Sequence, residues 1–212
     1  MRLSRRRRSL VISLLAASVL AIALAPLLMP AAYSVVGHSV SESAAQGLDG
    51  AWLARLGFVL FGFAVLLIVG YPAVGWGRWA RLAHGGFAVS MIAAATFSHM
   101  PWDDRSYDRF EDLLHSIASL GVGLFFTAGV LLVTIDKRLR PGLHRVLDLV
   151  ALAAAAVIPM LTAQSSIGGV LQRLMFFLAY LWYAVETIRP RVRSESRPVT
   201  LSTDTMQIGG DT

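Results

Sequence analysis

Most of the side chains able to do chemistry in this chain gather in two intervals between apolar stretches. His38, Ser41, Glu42 and Asp49 lie in the first, and His99, Asp103, Asp104, Asp108, Glu111 and Asp112 in the second, which runs on into His115. Together they hold three of the five histidines and seven of the 13 acids. Imidazole in the company of carboxylate points to acid–base work or to metal ligation. His99, Asp103 and His115 are suitable ligand types, yet no His-Glu-x-x-His pair presents two imidazoles on one helix face. Ser41 as nucleophile with His115 as base is a second arrangement, but the chain lacks the Gly-x-Ser-x-Gly turn that exposes a hydrolase serine. The sequence has no phosphate-binding loop and no dinucleotide fingerprint. Gly85-Gly86 and Gly168-Gly169 lie within or between apolar runs, where paired glycines serve packing or turning. No metal and no cofactor is therefore expected. The same acids also have a plainer role, since acidic loops on one side offset basic ones on the other, and Asp108 to Glu111 reads as a capping-box variant opening a helix.

The elements that must position these groups are membrane spans. Of 212 residues, 56% are apolar and only 15% charged, and mean hydropathy is +0.62; soluble domains carry about 25% charge. Uncharged runs mark spans from Leu10 to about Leu28, Leu56 to Val69, Leu82 to Ser98 and Leu113 to Ile135. The stretch Leu149 to Val185 carries one charge, Arg173, and exceeds a single span of about 17–25 residues. Splitting it at the turn Gln164 to Gly169 gives six spans, an all-α polytopic bundle over residues 10–189. Pro159 should kink the fifth helix. Ser119, Gly123 and Thr127, spaced by four on the fourth, offer a face for close helix approach.

Six spans put both termini on one side, and the arginines choose it. Fifteen of the 19 Lys and Arg fall in the head, the second and fourth connections and the tail. This asymmetry implies a multi-pass protein of the cytoplasmic (inner) membrane with both termini inside. The net charge of +6 is explained by this bias, so no nucleic-acid partner is expected; the expected partners are membrane lipids, with anionic lipid at the basic inner rim. The absence of cysteine rules out disulfides and thiolate metal sites. Residues 1–9 form a basic cytoplasmic head, and although Ser4-Arg5-Arg6 resembles a twin-arginine signal, the apolar run after it is longer than the about 7–15 residues of a cleaved signal. Residues 190–212 are polar, lack an apolar period and read as a disordered tail.

His115 and Arg173 break this pattern because both lie inside apolar runs near the outer end. Ionisable groups there are costly, face the bundle interior and pair. Arg173 requires a partner, and by topology Glu42 and Asp103 are the nearest carboxylates, with Arg55 at the start of the second span able to join. An outward polar pocket walled by the second, fourth and sixth helices is the expected result.

The order Tyr33-Ser34, Ser41-Glu42, Trp52 with Arg55-Leu56-Gly57-Phe58, Met100-Pro101-Trp102-Asp103, His115-Ser116, and Gly169-Val170-Leu171-Gln172-Arg173 with Trp182 resembles the bacterial family called domain of unknown function 998. The resemblance covers Leu10 to Arg189; Met100 stands where the family usually has an aromatic. It implies a six-helix integral membrane protein and no assigned activity. Its matching positions are Ser41, Glu42, Pro101, Asp103, His115, Gln172, Arg173 and Trp182. Combined with Arg55, the expected ligand-binding or buried polar cluster is Ser41, Glu42, Arg55, Asp103, His115, Gln172 and Arg173. Two functions stay open: a non-enzymatic bundle that binds or senses a lipid or small ligand, and an intramembrane hydrolase or lipid-modifying enzyme using His115 with Glu42 or Asp103.

Overall fold

A computed structural model describes residues 5–71, 74–136, 142–162 and 165–188. The described residues are helical and contain no strand: α1 Arg5–Leu24, α2 Ala51–Val69, α3 Arg78–Thr96, α4 Arg109–Asp136, α5 Gly142–Thr162 and α6 Gly168–Ile188. Five are long and apolar enough to cross a membrane; α3 is not among them. The polar tail lies outside the described residues.

The helix ends follow local chemistry. α1 is helical from Arg5, its first described residue, so Arg5 to Arg8 of the basic head are part of the helix that enters the apolar stretch. It gives way at Pro26 to a 3-10 turn, Ala25–Leu28. α4 opens on Asp108, whose Oδ1 accepts the N–H groups of Phe110 at 2.8 Å and Glu111 at 3.2 Å. Glu111 does not complete the capping box: its carboxylate accepts the Ser98 N–H instead, at 2.7 Å. Of the expected turn Gln164 to Gly169, Gln164 lies outside the described residues, residues 165–167 make the turn, and Gly168 and Gly169 open α6; α5 contains Pro159 and continues to Thr162.

Helices adjacent in sequence pack side by side, and α6 returns to touch α1. α3 lies between α2 and α4. A Cβ on Gly62 of α2 would approach the Ala88 carbonyl oxygen of α3 to 2.8 Å, and one on Gly121 of α4 would meet Ser90 Oγ at 2.5 Å. The fourth helix thus approaches α3 through Gly121 and Gly129, whereas a Cβ on Gly123, of the expected face, would meet nothing within 4 Å. Two interleaved series of small residues run along α4, and the partner's bulk decides which one packs. In the core, Phe61 stacks on Tyr180 with centroids 4.0 Å apart. Ser18 of α1 donates to the Gly57 carbonyl at 2.6 Å and lies 2.5 Å from the Tyr180 hydroxyl, as polar groups inside a lipid-facing bundle must find internal partners. Leu113, Ile117, Leu120, Leu124, Leu131 and Ile135 leave α4 exposed along one apolar stripe.

The two ends of the bundle differ. One, the loop end, carries residues 29–50 and 97–108. At the other, Arg8 donates to the carbonyls of Thr187, at 3.1 Å, and Ile188, and Arg81 donates to Val69 at 3.0 Å. These arginines satisfy the last carbonyls of α6 and α2, where a cation also suits the helix dipole.

Candidate functional site

At the loop end, the chain between α1 and α2 folds into a cap. His38 N–H donates to the Ser34 carbonyl at 2.8 Å and Gly37 N–H to Ser34 Oγ at 3.2 Å. Ser34 N–H returns a bond to His38 Nδ1 at 2.8 Å, closing a five-residue ring. The carbonyls of this ring meet the start of α6, whose first N–H groups have no partner within the helix. Gly169 N–H donates to Gly37 at 3.1 Å and Val170 N–H to Val36 at 3.2 Å. A Cβ on Gly169 would meet the Val35 oxygen at 2.6 Å, so glycine admits the cap here. One turn later Arg173 donates to the carbonyls of Val35, His38 and Gly169 at 2.8, 2.9 and 3.0 Å and to the Tyr33 hydroxyl at 2.6 Å. Gln172 Oε1 accepts the Val40 N–H at 2.5 Å.

The remaining expected site residues have similar work. Glu42 accepts the Ser39 N–H at 2.5 Å, and Ser39 Oγ accepts the Glu42 N–H at 3.1 Å. Ser41 contributes its carbonyl, which accepts the Ala44 N–H at 2.9 Å, while its hydroxyl caps nothing. Arg55 donates to the carbonyls of Ala44 and Ala45, each at 3.0 Å. Asp103 receives both arms of Arg105 at 2.7 Å, and Arg105 also reaches the Gly47 carbonyl. These bonds hold the Asp103 carboxyl below the usual range and raise the Arg105 guanidinium above its own.

The second loop is tied in by Gln46 and Asp112. Gln46 Nε2 donates to Ser98 and Asp108, and its Oε1 accepts the Asp108 N–H at 2.7 Å. Asp112 Oδ1 accepts from Met100 N–H and from His99 Nδ1, both at 2.8 Å. His115 Nδ1 lies 3.0 and 2.8 Å from the Ala94 and Phe97 carbonyls; carbonyls only accept, so Nδ1 carries the proton and Nε2 the lone pair. That Nε2 and Ser98 Oγ are buried without a partner among the described residues. His99 stacks on His115 with centroids 5.2 Å apart, and His38 stacks on Trp102 of the second loop at 5.0 Å.

The expected pairing of Arg173 with a carboxylate is not found. Among the described residues the ion pairs are His99 with Asp112 and Arg105 with Asp103. Arg173 takes carbonyls because a guanidinium needs acceptors in a fork, whether or not they carry charge. Ser41, Glu42, Gln172 and Arg173 share the first loop and its anchor on α6; Arg55 holds that loop's far end; Asp103 belongs to the second loop, and His115, on α4, holds the carbonyls where α3 runs into it. Among the described residues no three His, Asp or Glu side chains converge as a metal site would require.

The sequence reading missed a second buried polar group at the opposite end. His84 of α3, wholly buried, lies 2.8 Å from the Tyr183 hydroxyl and stacks on Trp182. Trp76 Nε1 donates to Glu186 at 3.0 Å, and Trp182 Nε1 to Asp148 at 2.8 Å. Gly129 leaves room for this ring, since a Cβ there would meet His84 Cε1 at 2.5 Å. The rule applied to His115, an imidazole inside an apolar run, would have singled out His84 as well. Asp148 and Glu186 flank the long run Leu149 to Val185 and served only as its boundaries.

An apolar crevice of about 60 Å³ opens between α4, α5 and α6. Small residues make it: Gly123 on α4, Ala151 and Ala155 on α5, and Ala179 on α6, walled by Phe126 and Phe176.

A family model described as Protein of unknown function (DUF998) matches residues 10–189. No curated protein and no solved structure matches the chain.

Proposed function

The chain belongs to the DUF998 family, and we propose that it is a six-span protein of the cytoplasmic membrane, both termini inside, that binds lipid without transforming it. α3 supplies the sixth span: its polarity comes from Arg78 and Arg81 at its start, where an arginine suits a membrane edge, and from His84 and Ser90 buried within the bundle. The bias of Lys and Arg toward the terminal end favours that end inside, where the exposed Arg5, Arg6 and Arg78 are available to anionic headgroups.

The crevice between α4, α5 and α6 carries the lipid reading. It is lined almost wholly by apolar atoms and suits a segment of acyl chain. The polar groups of the cap are engaged with backbone, which supports a holding role for them. Native mass spectrometry of the purified protein tests this. Wild type should retain a lipid, and Gly123→Leu, placed where a Cβ meets nothing, should fold and lose it. Equal retention, or none in wild type, would overturn the reading.

One observation favours the enzymatic alternative. Asp112 holds His99 Nδ1, which leaves Nε2 able to take a proton as a general base does. A folded His99→Gln variant that abolishes turnover of a membrane lipid would establish it.

A further inference from the structure

We propose that the cap at the loop end is an acid-released latch centred on His38. The ring from Ser34 to His38 closes through a backbone N–H donating to His38 Nδ1. A backbone N–H cannot accept, so Nδ1 must carry a lone pair and His38 is neutral in the latched state. Protonation replaces that acceptor with a second donor facing the first.

The charges around His38 act in the same direction. From α6, Arg173 donates to the His38 carbonyl itself, and the first N–H groups of α6, the positive end of its dipole, meet the carbonyls of Val36 and Gly37. From the first loop, Tyr33 packs on the ring at 5.2 Å and Glu42 is bound to Ser39 N–H. From the second loop, Trp102 stacks on the ring and its neighbour Asp103 is committed to Arg105. Among the described residues no carboxylate hydrogen-bonds the imidazole. An added proton on His38 therefore breaks the Ser34 N–H bond in a ring whose carbonyls Arg173 and the first N–H groups of α6 hold.

The consequences reach both loops because His38 joins three things: the ring whose carbonyls cap α6, the anchor Arg173, and the stack on Trp102. Losing the ring frees Val35, Val36, Gly37 and His38 from α6 and unties the first loop from the second. The latch is closed while His38 is neutral and opens when its ring takes a second proton. Asp103 is held below the usual carboxylate range, so its pair with Arg105 persists where His38 opens.

The test uses the full chain, which has no native cysteine, purified in lipid nanodiscs. Val36→Cys and Ile167→Cys, both exposed and on the two sides of the latch, carry nitroxide labels. Dipolar broadening between them should be strong at about pH 8 and largely lost at about pH 5, across the range in which histidine titrates. His38→Gln keeps an acceptor for the Ser34 N–H without a titrating ring, and its broadening should persist at both pH values. Unchanged broadening in the His38 parent, or an equal loss in His38→Gln, would overturn the proposal.

Discussion

Arg173 shows what a charged group in an apolar helix requires: a set of acceptors, supplied here by three carbonyls and a tyrosine hydroxyl. Arg173→Leu should destabilise the protein by about 3 kcal/mol, because bonds from charged donors contribute about 1.5–3 kcal/mol each and do not add. Arg173→Lys should fall between, lacking the planar fork. Denaturant unfolding in micelles measures both, and wild-type stability of the leucine variant would contradict the anchor. Asp103 gives a pH prediction. Its carboxyl is depressed by Arg105, so the pair is fully present above the ordinary carboxylate range and is lost only as pH falls through the lower value. Carboxyl NMR titration should return Asp103 to the ordinary range in Arg105→Gln. At this scale charge and topology suggested Glu42 or Asp103 as the partner of Arg173, whereas backbone carbonyls, invisible in residue types, took the role.

Helices were legible because apolar runs and prolines bound them, and the split covers residues 165–167 ahead of α6 but also takes in the glycines that open that helix. Their contact faces were less so. Gly121, Gly123 and Gly129 all lie on α4, and only the neighbour's bulk tells which is crowded. Gly62→Ala should cost about 1–3 kcal/mol through overpacking, because the added Cβ meets the Ala88 carbonyl, which is backbone and cannot swing aside. Gly123→Ala meets open space and should be neutral or stabilising by up to about 1 kcal/mol from helix propensity. Unfolding of the pair separates them; equal effects would contradict the α2–α3 approach. The first turn of α6 has the same logic: the glycine pair read as a turn is the floor on which the cap rests, which required seeing a loop more than 120 residues distant.

At the scale of the whole molecule, apolar composition and arginine asymmetry made a multi-pass membrane bundle readable from residue types, since water and lipid sort side chains without reference to detailed packing. The buried polar group around His84 was hidden for the converse reason: its members come from α3, α5, α6 and the segment before α3, and only the bundle brings them together. α3 decides the account, because the cap faces outward and both termini lie inside only if this helix crosses the membrane. The direct measurement is labelling of intact cells with an impermeant maleimide on single-cysteine variants flanking α3. Ser106→Cys, in the exposed second loop, should react without permeabilisation, and Arg78→Cys, exposed at the start of α3, should react only after it. Reaction of both from the same side would contradict six spans and the outward cap.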